Sequence, residues 1–132
     1  MLAAVREALL EEPAVQQILG YEPRIVLAGT LGYEVQPLVE YFVVSDVEGE
    51  SWNPLRVQWD IWALNYQDAI ELERALRGVM HHDLPVAFAE ELMWSQIVDS
   101  RLLPGPQGDR IFSRSLDQLL TPVRERYLST GG

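Results

Sequence analysis

The chain has 132 residues, a formal net charge of −10 from 20 acidic and 10 basic residues, and no cysteine. That length suits one domain able to hold its own core, and a hydrophobic content of 48% is that of a globular chain, not a disordered one. The composition excludes disulfides, zinc–thiolate sites and thiol catalysis, and its scattered basic residues argue against stable binding to nucleic-acid phosphates.

In chain order, Leu2, Val5, Leu9 and Leu10 recur at helical spacing, with Arg6, Glu7, Glu11 and Glu12 on other faces. Pro13 suits the first position of a second short helix carrying Ala14, Val15, Ile18 and Leu19, and Gly20 suits its end. Residues 24–28 and 38–47 read as strands, the second rich in Val, Tyr and Phe, with a glycine-punctuated loop between them and a turn over 49–54. Residues 55–64 form the clearest strand: Val57, Trp59, Ile61 and Ala63 alternate with Arg56, Gln58, Asp60 and Trp62. Trp62 interrupts the polar face and marks a second contact surface there.

Asn65 can cap the helix predicted over 66–80, whose stripe is Ala69, Leu72, Leu76 and Val79. Residues 86–91 read as a loop with one helical turn, 92–103 as a strand, and the proline- and glycine-rich 104–109 as a loop. The last segment admits two readings. Leu116, Leu119, Leu120, Val123 and Tyr127 fit a helical stripe that Pro122 would break, whereas a strand from Ile111 to about Val123 would form a hairpin with 92–103.

The residue types that carry chemistry are present without the spacing that chemistry needs. His81 and His82 are adjacent, whereas a metal-binding helix places histidines four apart. The acidic groups Glu11–Glu12, Glu90–Glu91 and Asp46/Glu48/Glu50 have no spacing that forces convergence. Gly29-Thr30-Leu31-Gly32 lacks the lysine of a phosphate loop, and no serine sits in a nucleophile elbow. No catalytic, cofactor or metal site is assigned. Of the aromatic residues, Trp52 in the predicted loop and Trp62 on the polar strand face are the candidates for subunit contacts, since tryptophan is enriched at interface hot spots.

The run from Arg56 to Ala63, followed by Asn65-Tyr66-Gln67-Asp68-Ala69 and a helix, resembles the phage tail-completion, or tail-terminator, family, which shows a VQxDxWA-like strand running into such a helix. Residues 13–20 are similar to that family's opening and residues 108–117 to its closing strand. Pro37-Leu38-Val39 stands where the family has a PYV-like sequence. The chain after Pro122 departs from the pattern, so 121–132 is set apart as a C-terminal extension of a single domain.

The resemblance implies an α+β subunit with an antiparallel sheet of four to five strands, helices mainly on one face, and the strand reading of the last segment. It also implies a structural protein without cofactor, built into the neck end of a phage tail after assembly in the host cytoplasm. Such a protein forms a homo-oligomeric ring, typically sixfold, that caps the tail tube, meets the major tail-tube protein and the head-completion protein, and lets DNA pass without binding it. Asp46, Glu48 and Glu50 are then candidates for an acidic lumen. Two alternatives stand beside this one: a head-completion or stopper connector of the neck, and a dimeric α+β domain with a small-ligand pocket under its sheet.

Overall fold

The computed structural model describes residues 2–20, 25–28, 37–46, 55–63, 65–88, 90–102 and 112–123. The elements follow in the order α1 (Leu2–Glu11), α2 (Pro13–Leu19), β1 (Ile25–Leu27), β2 (Leu38–Asp46), β3 (Leu55–Ala63), α3 (Tyr66–Met80), β4 (Val86–Phe88), β5 (Glu91–Leu102) and β6 (Phe112–Pro122). The strands form one sheet in the order β1-β2-β3-β6-β5-β4. The fold is α+β, with the helices on one side of a mainly antiparallel sheet.

Local chemistry accounts for the helix ends. Pro13 opens α2, and Gly20 closes it at φ 82°, where its amide donates to the Gln16 carbonyl; a side chain at that φ is strained, so glycine fits. Asn65 caps α3 by accepting the amide of Asp68 at 2.8 Å. The α3 stripe buries Ala69, Leu72, Leu76 and Met80, and burying one leucine stabilises by about 1.5–3 kcal/mol. Ala4, Val5, Leu9, Val15 and Leu19 of α1 and α2 join it. Facing them from the sheet are Val39, Val57, Trp59, Ile61, Met93, Ile97, Leu116 and Leu120.

Three features differ from the sequence reading. The sheet has six strands because a three-residue edge strand, β4, joins the five read from sequence, of which 24–28 supplies β1. Strands this short cannot display a period, and 86–88, read as a loop with a helical turn, is extended because it pairs with β5 through a tight connection in which Glu90 adopts φ 71°. The sheet also has one parallel pair, β1 with β2. Of the two readings of the last segment, the strand is the one present. β6 pairs with β3 on one side and β5 on the other, and it continues through Pro122, inside the segment set apart as an extension. Pro122 is tolerated as the last residue of its strand. The expected loops over 29–32, 49–54 and 104–109 and the tail after 123 lie outside the described residues.

Two bulges bend the sheet, one in β2 between Val43 and Ser45 and one in β5 between Ile97 and Asp99. Each removes a valine, Val44 or Val98, from the regular pairing.

Candidate interaction surface

Most buried polar groups in this fold serve packing. Under the helices, Trp59 Nε1 donates to Gln118 Oε1 at 2.8 Å, Gln118 Nε2 donates to Ser95 Oγ at 2.8 Å, and Ser95 Oγ donates to the Met80 carbonyl. The chain of bonds runs from β3 through β6 and β5 to the end of α3. Nearby, the buried carboxylate of Glu73 accepts from Ser100 Oγ at 2.6 Å and Arg114 Nη2 at 3.1 Å, with Arg77 at 3.5 Å. Burial pushes the Glu73 carboxyl up, but the bonds from Ser100 and Arg114 and the charges of Arg114 and Arg77 outweigh it and hold the group below the usual carboxylate range. Both clusters join α3 to the sheet; in the second, the buried Nε of Arg114 has no hydrogen-bond partner.

The histidine pair also has a structural task. The His82 amide donates to the Ser95 carbonyl at 3.0 Å, and His81 Nδ1 accepts the Ile97 amide at 3.0 Å. The two residues therefore run along the outer edge of β5 where β4 has ended, satisfying backbone groups beside the bulge. His82 Nε2 lies 2.7 Å from the Val79 carbonyl, and its ring meets Phe88 edge-on. Among the described residues, no three His, Asp or Glu side chains are grouped to hold a metal ion.

The sheet face away from the helices is arranged differently. Register places Gln58, Asp117 and Asp99 in one row and Asp60, Ser115 and Arg101 in the next. Arg101 bridges the rows, donating to Asp99 and Asp117 at 3.1 Å and to Gln58 at 3.0 Å. The bond to Asp117, with the charges of Asp117 and Asp99, outweighs desolvation and raises the Arg101 pKa. Toward the other end of the same face, Trp94 pairs with Thr121 and is 40% exposed, with Leu92 exposed two residues before it; Val98, also exposed, sits at the β5 bulge next to Asp99.

The expected contact tryptophan on β3 is elsewhere. Trp62 is only 6% exposed, in register with the fully buried Leu38; its ring is enclosed by the subunit, so its place on the polar face of β3 does not make it a surface residue. Trp52, Glu48 and Glu50 lie outside the described residues, and Asp46 is the last residue of β2, opposite Leu55. Among the described residues the exposed tryptophan is Trp94, which reads from sequence as core filling. Its neighbours gave no sharper signal, because Leu92, Trp94 and Val98 alternate with Met93, Ser95 and Ile97, and both sets are mostly apolar.

A groove of about 670 Å³ lies between α2 and α3, floored by Ala14, Ile18 and Ala75 and rimmed by Gln17, Asp68, Glu71 and Arg74. None of these polar side chains is buried, whereas a small-ligand pocket orients its ligand with enclosed polar groups. No family model matches the sequence, and no curated protein matches it. No described helix is long and apolar enough to cross a membrane.

Proposed function

We propose that this protein is a structural tail terminator: a subunit of a homo-oligomeric ring that caps the head-proximal end of a phage tail tube, stops its growth and joins it to the head. The observation that carries the reading is the division of the sheet. One face is sealed by helices, while apolar side chains led by Trp94 remain exposed on the other at its β5 end. Exposed large aromatics rimmed by polar groups belong to protein–protein contact surfaces. The resemblance of Arg56–Ala63 and the capped helix that follows supplies the particular kind of assembly, and the structure of that segment, a strand running through Asn65 into α3, has the form the resemblance implies.

In such a ring the subunit is a building part, with tail-tube and head-completion proteins as its axial partners. Its net charge of −10 favours passage of DNA without adhesion, because like charge repels the phosphate backbone.

Native mass spectrometry over a range of concentrations, followed by electron microscopy of the protein mixed with tail tubes, tests the reading. A ring of about six subunits seated at one end of each tube is expected. A ring that ignores tubes and binds portal-side proteins would move the protein to the connector role. A dimer that stays a dimer and binds no tube would overturn the assembly reading in favour of a ligand-binding domain.

A further inference from the structure

The chain leaving α3 serves β5 as a neighbouring strand would. Val86–Phe88 pairs with Glu91–Met93 as β4, and the His82 amide donates to the Ser95 carbonyl at 3.0 Å. One step further along β5, at the bulge, the acceptor for the Ile97 amide is a side chain: His81 Nδ1, at 3.0 Å. The imidazole stands where a strand partner would offer a carbonyl, and it covers a donor that would otherwise be bare on the sheet edge.

That substitution makes the edge depend on one proton. A backbone amide is a donor at every pH, so the ring nitrogen facing it must hold a lone pair. Neutral imidazole with its proton on Nε2 has that lone pair on Nδ1; in imidazolium both nitrogens carry protons and neither accepts. Protonating His81 sets N–H against N–H. His82 is the opposite case. Its Nε2 lies 2.7 Å from the Val79 carbonyl, an acceptor, so the ring can donate there both as the Nε2–H tautomer and as imidazolium. Of two adjacent histidines, one makes a bond that acid breaks and the other a bond that acid keeps.

The surrounding charges pull both ways. His81 is exposed and caps α3, where its amide donates to the Arg77 carbonyl and the last carbonyls of the helix favour a cation. Arg77, the charged residue one turn back on α3, is engaged by Glu73. The connection carries His82 and Asp83. On β5, Asp99 beyond the bulge is held by Arg101, and Glu91 stands at the start of the strand; β4 carries no charge. The Ile97 amide, Arg77 and a charged His82 favour the neutral ring, whereas the helix end and the carboxylates favour the imidazolium.

We infer that His81 is an acid-sensitive latch on the outer edge of β5. Neutral, it accepts the Ile97 amide. Protonated, it turns away into solvent and leaves that amide as a free donor on the edge, beside exposed Val98. The bond is present above the imidazole titration and is lost as pH falls through it. The opening is local, because the His82–Ser95 and Ser95–Met80 bonds that hold the rest of this edge involve no titrating group. The latch is independent of the assembly in which the subunit serves.

Native-state hydrogen exchange of the full chain tests it, with protection at each pH taken relative to the intrinsic exchange rate. From about pH 8 to about pH 5, the range of histidine chemistry, protection at Ile97 is expected to fall by roughly three- to tenfold, the weight of one hydrogen bond. Protection at the central β3–β6 pairs should stay level. Ring nitrogen shifts of the wild type at the higher pH should place the His81 proton on Nε2. H81N sets an amide oxygen near the position of Nδ1 and does not titrate, so its Ile97 protection should not change with pH. H82Q keeps a donor for Val79 and should respond as the wild type does.

A wild-type Ile97 protection that is level across this range overturns the latch, and so does a neutral His81 with its proton on Nδ1. An equal fall in H81N and the wild type also overturns it, because acid would then be acting through carboxylates. A fall that disappears in H82Q would move the effect to the wrong histidine and overturn it as well.

Discussion

Trp59 on β3 and Gln118 on β6, far apart in sequence, share a 2.8 Å hydrogen bond in the interior beneath the helices. The two residues are neighbours on one face, since Trp59 pairs with Leu116 and Val57 with Gln118. Gln118 also donates to Ser95, so one side chain satisfies groups on two flanking strands. Replacing it with leucine strands the Trp59 N–H and removes the donor to Ser95. Q118L is expected to lower stability by about 2–4 kcal/mol, since each orphaned buried polar group costs about 1–3 kcal/mol. Urea denaturation measures this, and the pair W59F/Q118L should lose less than the sum of its single changes.

Acid should act through Glu73. Its folded pKa is depressed by Ser100 and the two arginines in excess of the upward push of burial, so its contribution is fully present above the unfolded carboxylate pKa. It is lost as pH falls through the lower, folded value. E73Q is expected to be less stable than the wild type at neutral pH by about 1.5–3 kcal/mol, the scale of hydrogen bonds to a charged group. The difference should shrink on acidification into and below the usual carboxylate range. Melting curves of both proteins across pH would show it; two parallel curves would mean that Glu73 does not carry the effect. Arg101 makes a useful contrast. It has several acceptors, but its side chain is 40% exposed, so R101A should change stability by less than about 1 kcal/mol.

The α3 cap can be tested alone. Asn65 Oδ1 accepts the Asp68 amide, and the Asn65 side chain donates back to Asp68. N65A should cost about 1 kcal/mol, whereas N65S keeps a capping acceptor without setting a second carboxylate beside Asp68 and should recover most of it. Chemical denaturation of the two variants side by side reads the difference.

His81 holds the bulge of β5 by accepting the Ile97 amide. H81A leaves that amide, on the outer side of β5, with solvent as its acceptor. Hydrogen exchange at Ile97 should accelerate clearly while exchange at the central β3–β6 pairs stays near the wild-type rate. Unchanged exchange at Ile97 would show that the strand edge does not depend on the imidazole.

Much of this architecture could be read from local pattern. The alternation from Val57 to Ala63, the Asn65 cap and the α3 stripe are one-dimensional signals, because each reflects an element with one buried face and a period that sequence displays directly. The helix pair divided at Pro13 and ended at Gly20 is of the same kind. The α+β class was what the resemblance of the Arg56–Ala63 segment implied, and the order of the elements agrees with it.

Tertiary structure decided the rest. Buried Gln118 and Ser115 make β6 look irregular, since their polarity is tolerated only at particular places in the sheet. The three-residue β4 exists only because β5 offers it a ladder. The tryptophans show the limit most clearly. Trp62 and Trp94 both sit on the sheet face away from the helices, and sequence ranked Trp62 as the exposed one. Trp62 lies on a central strand where that face is enclosed, while Trp94 lies near the edge where it is open. Position across the sheet sets exposure, and that position comes from strand order, which no local period encodes.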